Sequence, residues 1–365
     1  MKTTVNSKHV YIIAEAGVNH NGVFSLAKKL VFAAAEAGAD AVKFQSFRAD
    51  ALATPEAKKA AYQKKTTGRK GSQWQMLKAL ELSEAAHLKL KDCAQQLHLD
   101  FLSSPFDGES ARMLIRKVGI KKLKVPSGEI TNAPLLLELA SSGLPVILST
   151  GMSTPEEIRE ALSVLAFGYA RAASEKPSKA AFRKAFTSRR GQETIRKKVT
   201  LLQCTTEYPA PYDEVNLRAM DSLRDEFHVA VGLSDHTPGF VVSVAAAARG
   251  AEVIEKHLTL NRNMKGPDHK ASLEPAEFKQ MVQAVRLVER ALGSAQKIVT
   301  RSEEKNRPIA RKSLVAARRI RAGEVFGVGD LAAKRSGFGI SPMRYWDILG
   351  KAARKDYAAG ERIAL

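Results

Sequence analysis

Two segments, VGLSDHT (231–237) and VIEKHLTL (253–260), each run an apolar stretch into a histidine, His236 and His257. The two lie 21 positions apart, about the length of one strand–helix–strand unit, so in a parallel sheet they emerge side by side at one edge. Neighbouring imidazoles make half a divalent-metal site. Glu15, Gln45, Asp235, Glu255 and Asp268 are the oxygen donors expected nearby. Two nitrogens with the other positions left open suit Mn²⁺ better than Mg²⁺, with Co²⁺ a further candidate, and such an ion can polarise a carbonyl. Taken singly, each histidine reads equally well as an oriented hydrogen-bonding group. His9, His87, His98 and His228 stand in terminal or helical contexts and are expected at the surface. Cys204 is expected to be a small packed thiol rather than a ligand.

Two lysines sit in equally apolar surroundings, Lys43 in AVKFQ and Lys124 in LKVPS. A buried ammonium is costly unless it meets an anion. One reading is a packing salt bridge to Glu15 or Glu129. A second is recognition of a phosphate or carboxylate, with Ser104, Ser127, Ser149 and Ser234 as hydroxyl donors around the same anion. A third is a Schiff-base nucleophile at Lys43 or Lys124.

Short apolar runs must position these groups: residues 10–14, 41–44, 100–102, 122–125, 146–148, 199–203, 229–232 and 252–254 read as strands. Helical patterns separate them, at 25–37, 83–97, 108–118, 133–141, 155–165 and 239–249. A further helix opens at Pro275 and closes at Gly293. Eight buried strands, each followed by a helix or long loop, predict a closed (β/α)₈ TIM barrel over 1–293. An open doubly wound sheet fits less well, because no glycine-rich dinucleotide turn is present. Each strand runs into polar residues at its C-terminal side: Glu15, Asn19 and His20; Lys43 and Gln45; Ser103 and Ser104; Lys124 and Ser127; Ser149 and Thr150; Thr205, Thr206 and Tyr208; Ser234, Asp235 and His236; Glu255 and His257. A barrel gathers all eight ends in one mouth. Residues 294–310 read as a polar linker, and 311–365 as a small β-rich domain of short strands broken by turns.

Composition narrows the class. The 365 residues carry a net charge of +20, and residues 169–198 alone hold ten Lys or Arg against two Glu. Sparse aromatics and the lack of a nucleic-acid module make a solvated basic excursion the better reading of that stretch than DNA or RNA binding. Two cysteines cannot build a disulfide framework, and no signal-peptide or membrane-span pattern is present, so a cytoplasmic protein is expected.

In order along the chain, YIIAEAGVNHNG, AGADAVKFQSF, FLSSPFD, KVPSGEITNAPLL, ILSTGM, LLQCTTEYPAPYDEVNLRAM, GLSDHTPG and GAEVIEKHLTLNRNMKGPDHKASLEP together resemble the sialic acid synthase family. RKSLVAARRIRAGEVFGVGDLAAKR resembles the antifreeze-like SAF domain that ends those enzymes. The resemblance implies condensation of phosphoenolpyruvate with an open-chain amino sugar and release of phosphate. It implies a metal on His236 and His257, and phosphoenolpyruvate among Lys43, Ser104, Lys124, Ser127, Ser149 and Ser234. Gln45, Tyr208 and Asp268 then face the sugar, Arg335 reaches it from the partner subunit of a homodimer, and Glu15 and Asp268 are the acid–base candidates. N-acetylmannosamine is the expected acceptor, giving N-acetylneuraminate. The alternative is a 6-deoxy diacetamido sugar, as in legionaminic and pseudaminic acid synthases. Two features stand apart: Thr206 where some branches carry asparagine, and the long basic stretch 169–198.

Overall fold

The computed structural model describes residues 9–170 and 175–364. Residues 171–174 of the basic stretch, residues 1–8 of the first predicted domain and Leu365 of the last lie outside the described residues. The chain divides into two compact units, Met1–Gly293 and Ser294–Leu365.

The first unit is built on eight parallel strands: β1 (Tyr11–Gly17), β2 (Ala41–Ser46), β3 (Asp100–Pro105), β4 (Leu123–Val125), β5 (Val146–Ser149), β6 (Val199–Cys204), β7 (Ala230–Asp235) and β8 (Val253–His257). Their order is β3-β2-β1-β8-β7-β6-β5-β4, and β3 and β4 lie side by side to complete a nearly closed TIM barrel. Alternation along each strand sorts the side chains into two layers. Outward residues such as Ile12, Phe44, Leu148, Val231 and Ile254 pack beneath the helices. Inward, Ile13, Ala41, Leu102, Ile147, Leu202 and Val253 form an apolar plug, so the barrel is filled and not a pore. Two residues further along those same six strands stand Glu15, Lys43, Ser104, Ser149, Cys204 and Glu255. The apolar floor changes into a polar chamber within one repeat of the pleat.

Most strands end later than the apolar runs predict, because polar residues continue the ladder instead of opening loops. Helix starts follow the sequence closely. Ser83 accepts from Ala86 N and Asp107 from Ser110 N, each cap contributing about 1 kcal/mol. Within the stretch read as a basic excursion lie two helices, Lys179–Thr187 and Arg189–Lys198, capped by Ser178 and Ser188. No helix among the described residues is long and apolar enough to cross a membrane.

The second unit pairs β9 (Ser313–Ala316) with β10 (Leu331–Lys334) in antiparallel register around a core of Leu314, Ile320, Phe326, Ile348, Tyr357 and Ile363. The stretch predicted as a linker groups with this unit. It carries a helix, Arg301–Ala310, begun by a Thr300–Glu303 capping box.

Candidate functional site

The C-terminal mouth holds one continuous polar network. Lys43 Nζ lies 2.7 Å from Glu15 Oε2 and donates to Ser104 Oγ at 3.1 Å. Lys124 Nζ donates to Ser149 Oγ at 2.8 Å. Glu255 stands between the two ammonium groups, 3.7 Å from Lys43 and 3.4 Å from Lys124, and accepts from Ser234 Oγ at 3.0 Å. Gln45 donates to Glu15 at 3.2 Å. Ser127 Oγ accepts from Gly151 N at 3.0 Å. A Cβ on Gly151 would sit 2.3 Å from Thr206 Oγ1 and 2.8 Å from Ser127 Oγ, so only glycine lets this loop approach the mouth. Thr206 Oγ1 is itself buried without a partner.

Charge in this chamber is lopsided. Burial outweighs the pull of Lys43 and raises Glu15 to about 7. Burial would raise Glu255 too, but Lys124 and Lys43 together draw it down to about 2. Lys43 is raised: burial opposes its charge, yet Glu15 and Glu255 prevail. Lys124 is lowered by burial, which Glu255 only partly offsets. The arrangement offers two ammonium groups and several hydroxyls to an anion, against one firmly ionised carboxylate.

Beside it lies the histidine pair. The His236 and His257 rings are 5.4 Å apart between centroids, and both residues are buried. His236 Nδ1 sits 2.7 Å from the Thr205 carbonyl, which assigns that nitrogen its proton and makes Nε2, 3.5 Å from Ser234 Oγ, the nitrogen with the lone pair. His257 Nδ1 is buried without a hydrogen-bond partner, 3.9 Å from Asp268 Oδ2. Two such imidazoles fit a first-row divalent ion as half of its coordination. Among the described residues no group of three or more His, Cys, Asp or Glu is gathered around such an ion, so the two imidazoles are the protein nitrogens on offer. Burial, reinforced by His236 and Lys43, holds His257 well below the usual imidazole range. Burial also raises Asp268 to about 6.

Tyr208 closes this side. Its ring lies 4.2 Å from that of His236, 5.6 Å from His257 and 5.1 Å from Tyr62. Tyr62 was not singled out from sequence. It stands on a short helix, Ala61–Thr67, whose Thr66 hydroxyl donates to the Pro267 carbonyl at 3.5 Å, next to Asp268.

Several expectations are corrected. Glu129 meets neither lysine; its partner is Asn132 at 2.7 Å, and Glu255 takes the place between the lysines. Asp235 is not available to a metal: it points into the helix layer and pairs with Lys256 at 3.0 Å. Ser103 also faces outward and meets Ser46 Oγ at 2.7 Å. Thr150 bonds the Leu202 carbonyl, Thr205 the Glu214 carbonyl, and Asn19 the Leu258 carbonyl and Ser272. His20 is fully buried against Phe44. His87 is not a surface residue. It is 1% exposed, with Nε2 2.7 Å from Ser46 Oγ, because it lies on the face of its helix that packs on β2 and β3. His9, His98 and His228 are exposed. Cys204 is buried, its sulfur 3.8 Å from His236 Nδ1. Arg335, in the second unit, is exposed just beyond β10.

Comparison with known proteins gives a consistent result. The NeuB family model matches residues 30–297, and the SAF domain model matches residues 311–364. An N,N'-diacetyllegionaminic acid synthase of Campylobacter jejuni is 50% identical over 98% of this chain and 99% of its own. A synthase of the same description from Legionella pneumophila is 43% identical over 99% and 95%. Among solved structures, an N-acetylneuraminic acid synthetase from Leptospira borgpetersenii is 31% identical with a TM-score of 0.65, over 82% of this chain and 90% of that one.

Proposed function

The chain belongs to the NeuB family of nonulosonic acid synthases, and from that premise we propose that it joins phosphoenolpyruvate to an open-chain 6-deoxy diacetamido sugar, as a legionaminic acid synthase. This reading displaces N-acetylmannosamine, the acceptor expected from sequence. The observation that carries it is the identity of 50% over nearly the whole chain to a diacetyllegionaminic acid synthase, against 31% to the sialic acid synthetase.

The mouth supports the chemistry. Lys43 and Lys124, with Ser104, Ser127, Ser149 and Ser234, hold the phosphate and carboxylate of phosphoenolpyruvate, and Glu255 keeps the two ammonium groups together before the anion arrives. Tyr208, Gln45 and Asp268 line the acceptor side. A divalent ion on His236 and His257, with Mn²⁺ the first choice, supplies a Lewis acid that makes a sugar carbonyl more electrophilic. C3 of phosphoenolpyruvate forms a bond to the aldehyde carbon, water adds at C2, and phosphate leaves as the C–O bond breaks. Glu15 and Asp268, near 7 and near 6, are the groups able to exchange protons with these atoms close to neutral pH. Arg335 completes the acceptor pocket of a partner chain in a homodimer.

Phosphate release from phosphoenolpyruvate, measured side by side with the two 6-deoxy diacetamido sugars and with N-acetylmannosamine, tests this. A kcat/KM higher by about tenfold or more for the legionaminic acid precursor is expected. Equal or better use of N-acetylmannosamine overturns the reading.

A further inference from the structure

Immediately before each histidine of the pair stands a charged residue that faces the other way. Asp235 precedes His236 and Lys256 precedes His257, and the two are register partners on β7 and β8. Because side chains alternate, both point out of the barrel into the helix layer, where they are 2% and 0% exposed. Lys256 Nζ lies 3.0 Å from Asp235 Oδ2 and donates to the Thr237 carbonyl at 2.6 Å. Asp235 Oδ1 accepts from Thr237 N at 2.8 Å and from Thr237 Oγ1 at 2.7 Å. Its Oδ2 also accepts from Ser243 Oγ at 2.6 Å, on the helix Val241–Ala248. The residues on both sides of His236 are therefore fixed, and they are fixed to the residue next to His257.

A buried ion pair is a poor device for stability, since an apolar pair of similar volume serves as well or better. What it supplies here is direction: five polar contacts with defined angles at the point where two strands stop and two imidazoles must hold one separation. We propose that Asp235 and Lys256 are positioning residues that set the distance and orientation of His236 and His257 for a shared divalent ion. The inference rests on the metal reading of the pair given above. Neither residue touches that ion or the substrates; the effect passes through backbone.

The test uses the full-length protein with Mn²⁺ itself as probe, bound ion being read from the loss of the free Mn²⁺ paramagnetic resonance signal. Co²⁺ absorption reports the ligand geometry. Lys256→Met keeps the volume and removes the charge; Ser243→Ala removes only one contact to Asp235. Expected is a 10- to 100-fold weaker Mn²⁺ affinity in Lys256→Met with an altered Co²⁺ spectrum. Ser243→Ala is expected to fall between it and the parent, with metal-free phosphoenolpyruvate binding unchanged in both. Parent-like affinity and spectrum in Ser243→Ala overturn the proposal if Lys256→Met is also parent-like or does not fold. His236→Ala separates the two ideas. If it too binds Mn²⁺ as the parent does, the metal reading fails. If it alone loses the ion, only the clamp fails.

Discussion

Glu255 and Lys124 face each other from β8 and β4 at 3.4 Å, and the second oxygen of the same carboxylate lies 3.7 Å from Lys43. One carboxylate thus holds two ammonium groups that nothing else in the chamber would keep together. Lys43 has Glu15 as well, at 2.7 Å, whereas Glu255 is the carboxylate paired with Lys124. On the proposed reading, a bound phosphate relieves the lysine repulsion from the open side while Glu255 relieves it from within.

Glu255→Gln should therefore destabilise the protein by about 3–5 kcal/mol, the usual consequence of removing one partner of a buried pair. Inorganic phosphate should restore more of the melting temperature in this variant than it adds to the parent. Thermal denaturation with and without phosphate measures both. A variant that melts like the parent, or gains nothing extra from phosphate, would show that the lysines do not depend on Glu255.

Acid sensitivity should come partly from histidines outside the reacting chamber. Burial lowers His20 from the ordinary 6.5 to about 4, and burial also lowers His87. A folded pKa below the unfolded one means that the stabilisation is complete above 6.5 and is lost as pH falls towards 4. For His20 the loss is on the order of 3 kcal/mol. Denaturant unfolding at pH 7.5 and pH 5 should show the parent weakened at the lower pH, and His20→Gln weakened less by the same step. An equal loss in both would place the acid sensitivity elsewhere.

Much of this architecture was legible because eight apolar runs at regular intervals have few alternatives to a barrel. The strand ends were less legible, because polar residues there continue the ladder instead of opening loops. The two-residue period was available to correct this. Ser104 and Ser103, or Ser234 and Asp235, are neighbours of similar polarity, yet alternation sends one to the chamber and the other to the helices. His87 carried a comparable signal, since His87, Leu90 and Ala94 recur at helical spacing and all are buried. Tyr62 carried none. Its place over Tyr208 depends on how a loop between β2 and β3 folds back on the mouth, and local pattern does not encode that.

A metal-dependent synthase and a Schiff-base aldolase make opposite predictions at Lys124. The Lys124 side chain is hydrogen-bonded to Ser149 at 2.8 Å and lies 3.4 Å from Glu255. A chelator should abolish phosphate release and Mn²⁺ should restore it, while His236→Ala and His257→Ala should stay inactive yet fold. Borohydride added with either substrate should leave no adduct on Lys43 or Lys124 by mass spectrometry. An adduct formed in the presence of chelator would reverse the assignment.

Arg335 gives the proposed acceptor pocket a test of its own. Arg335 is exposed beyond β10 of the small unit, so a role in catalysis requires a barrel to receive it. Arg335→Ala should raise KM for the sugar about a hundredfold, leaving almost no activity at sugar concentrations near the parent KM, with KM for phosphoenolpyruvate unchanged. If the barrel served is the partner's, a dimer formed from one Arg335→Ala chain and one His257→Ala chain keeps one intact site. The barrel with its histidine receives the arginine of the other chain. Co-expression with two different tags isolates such hybrids, and they should show about half the parent activity per dimer, although each homodimer is nearly inactive. If the arginine instead serves its own chain, both sites of the hybrid are defective and it is as inactive as its parents. The hybrid dimer thus decides between exchange and self-completion.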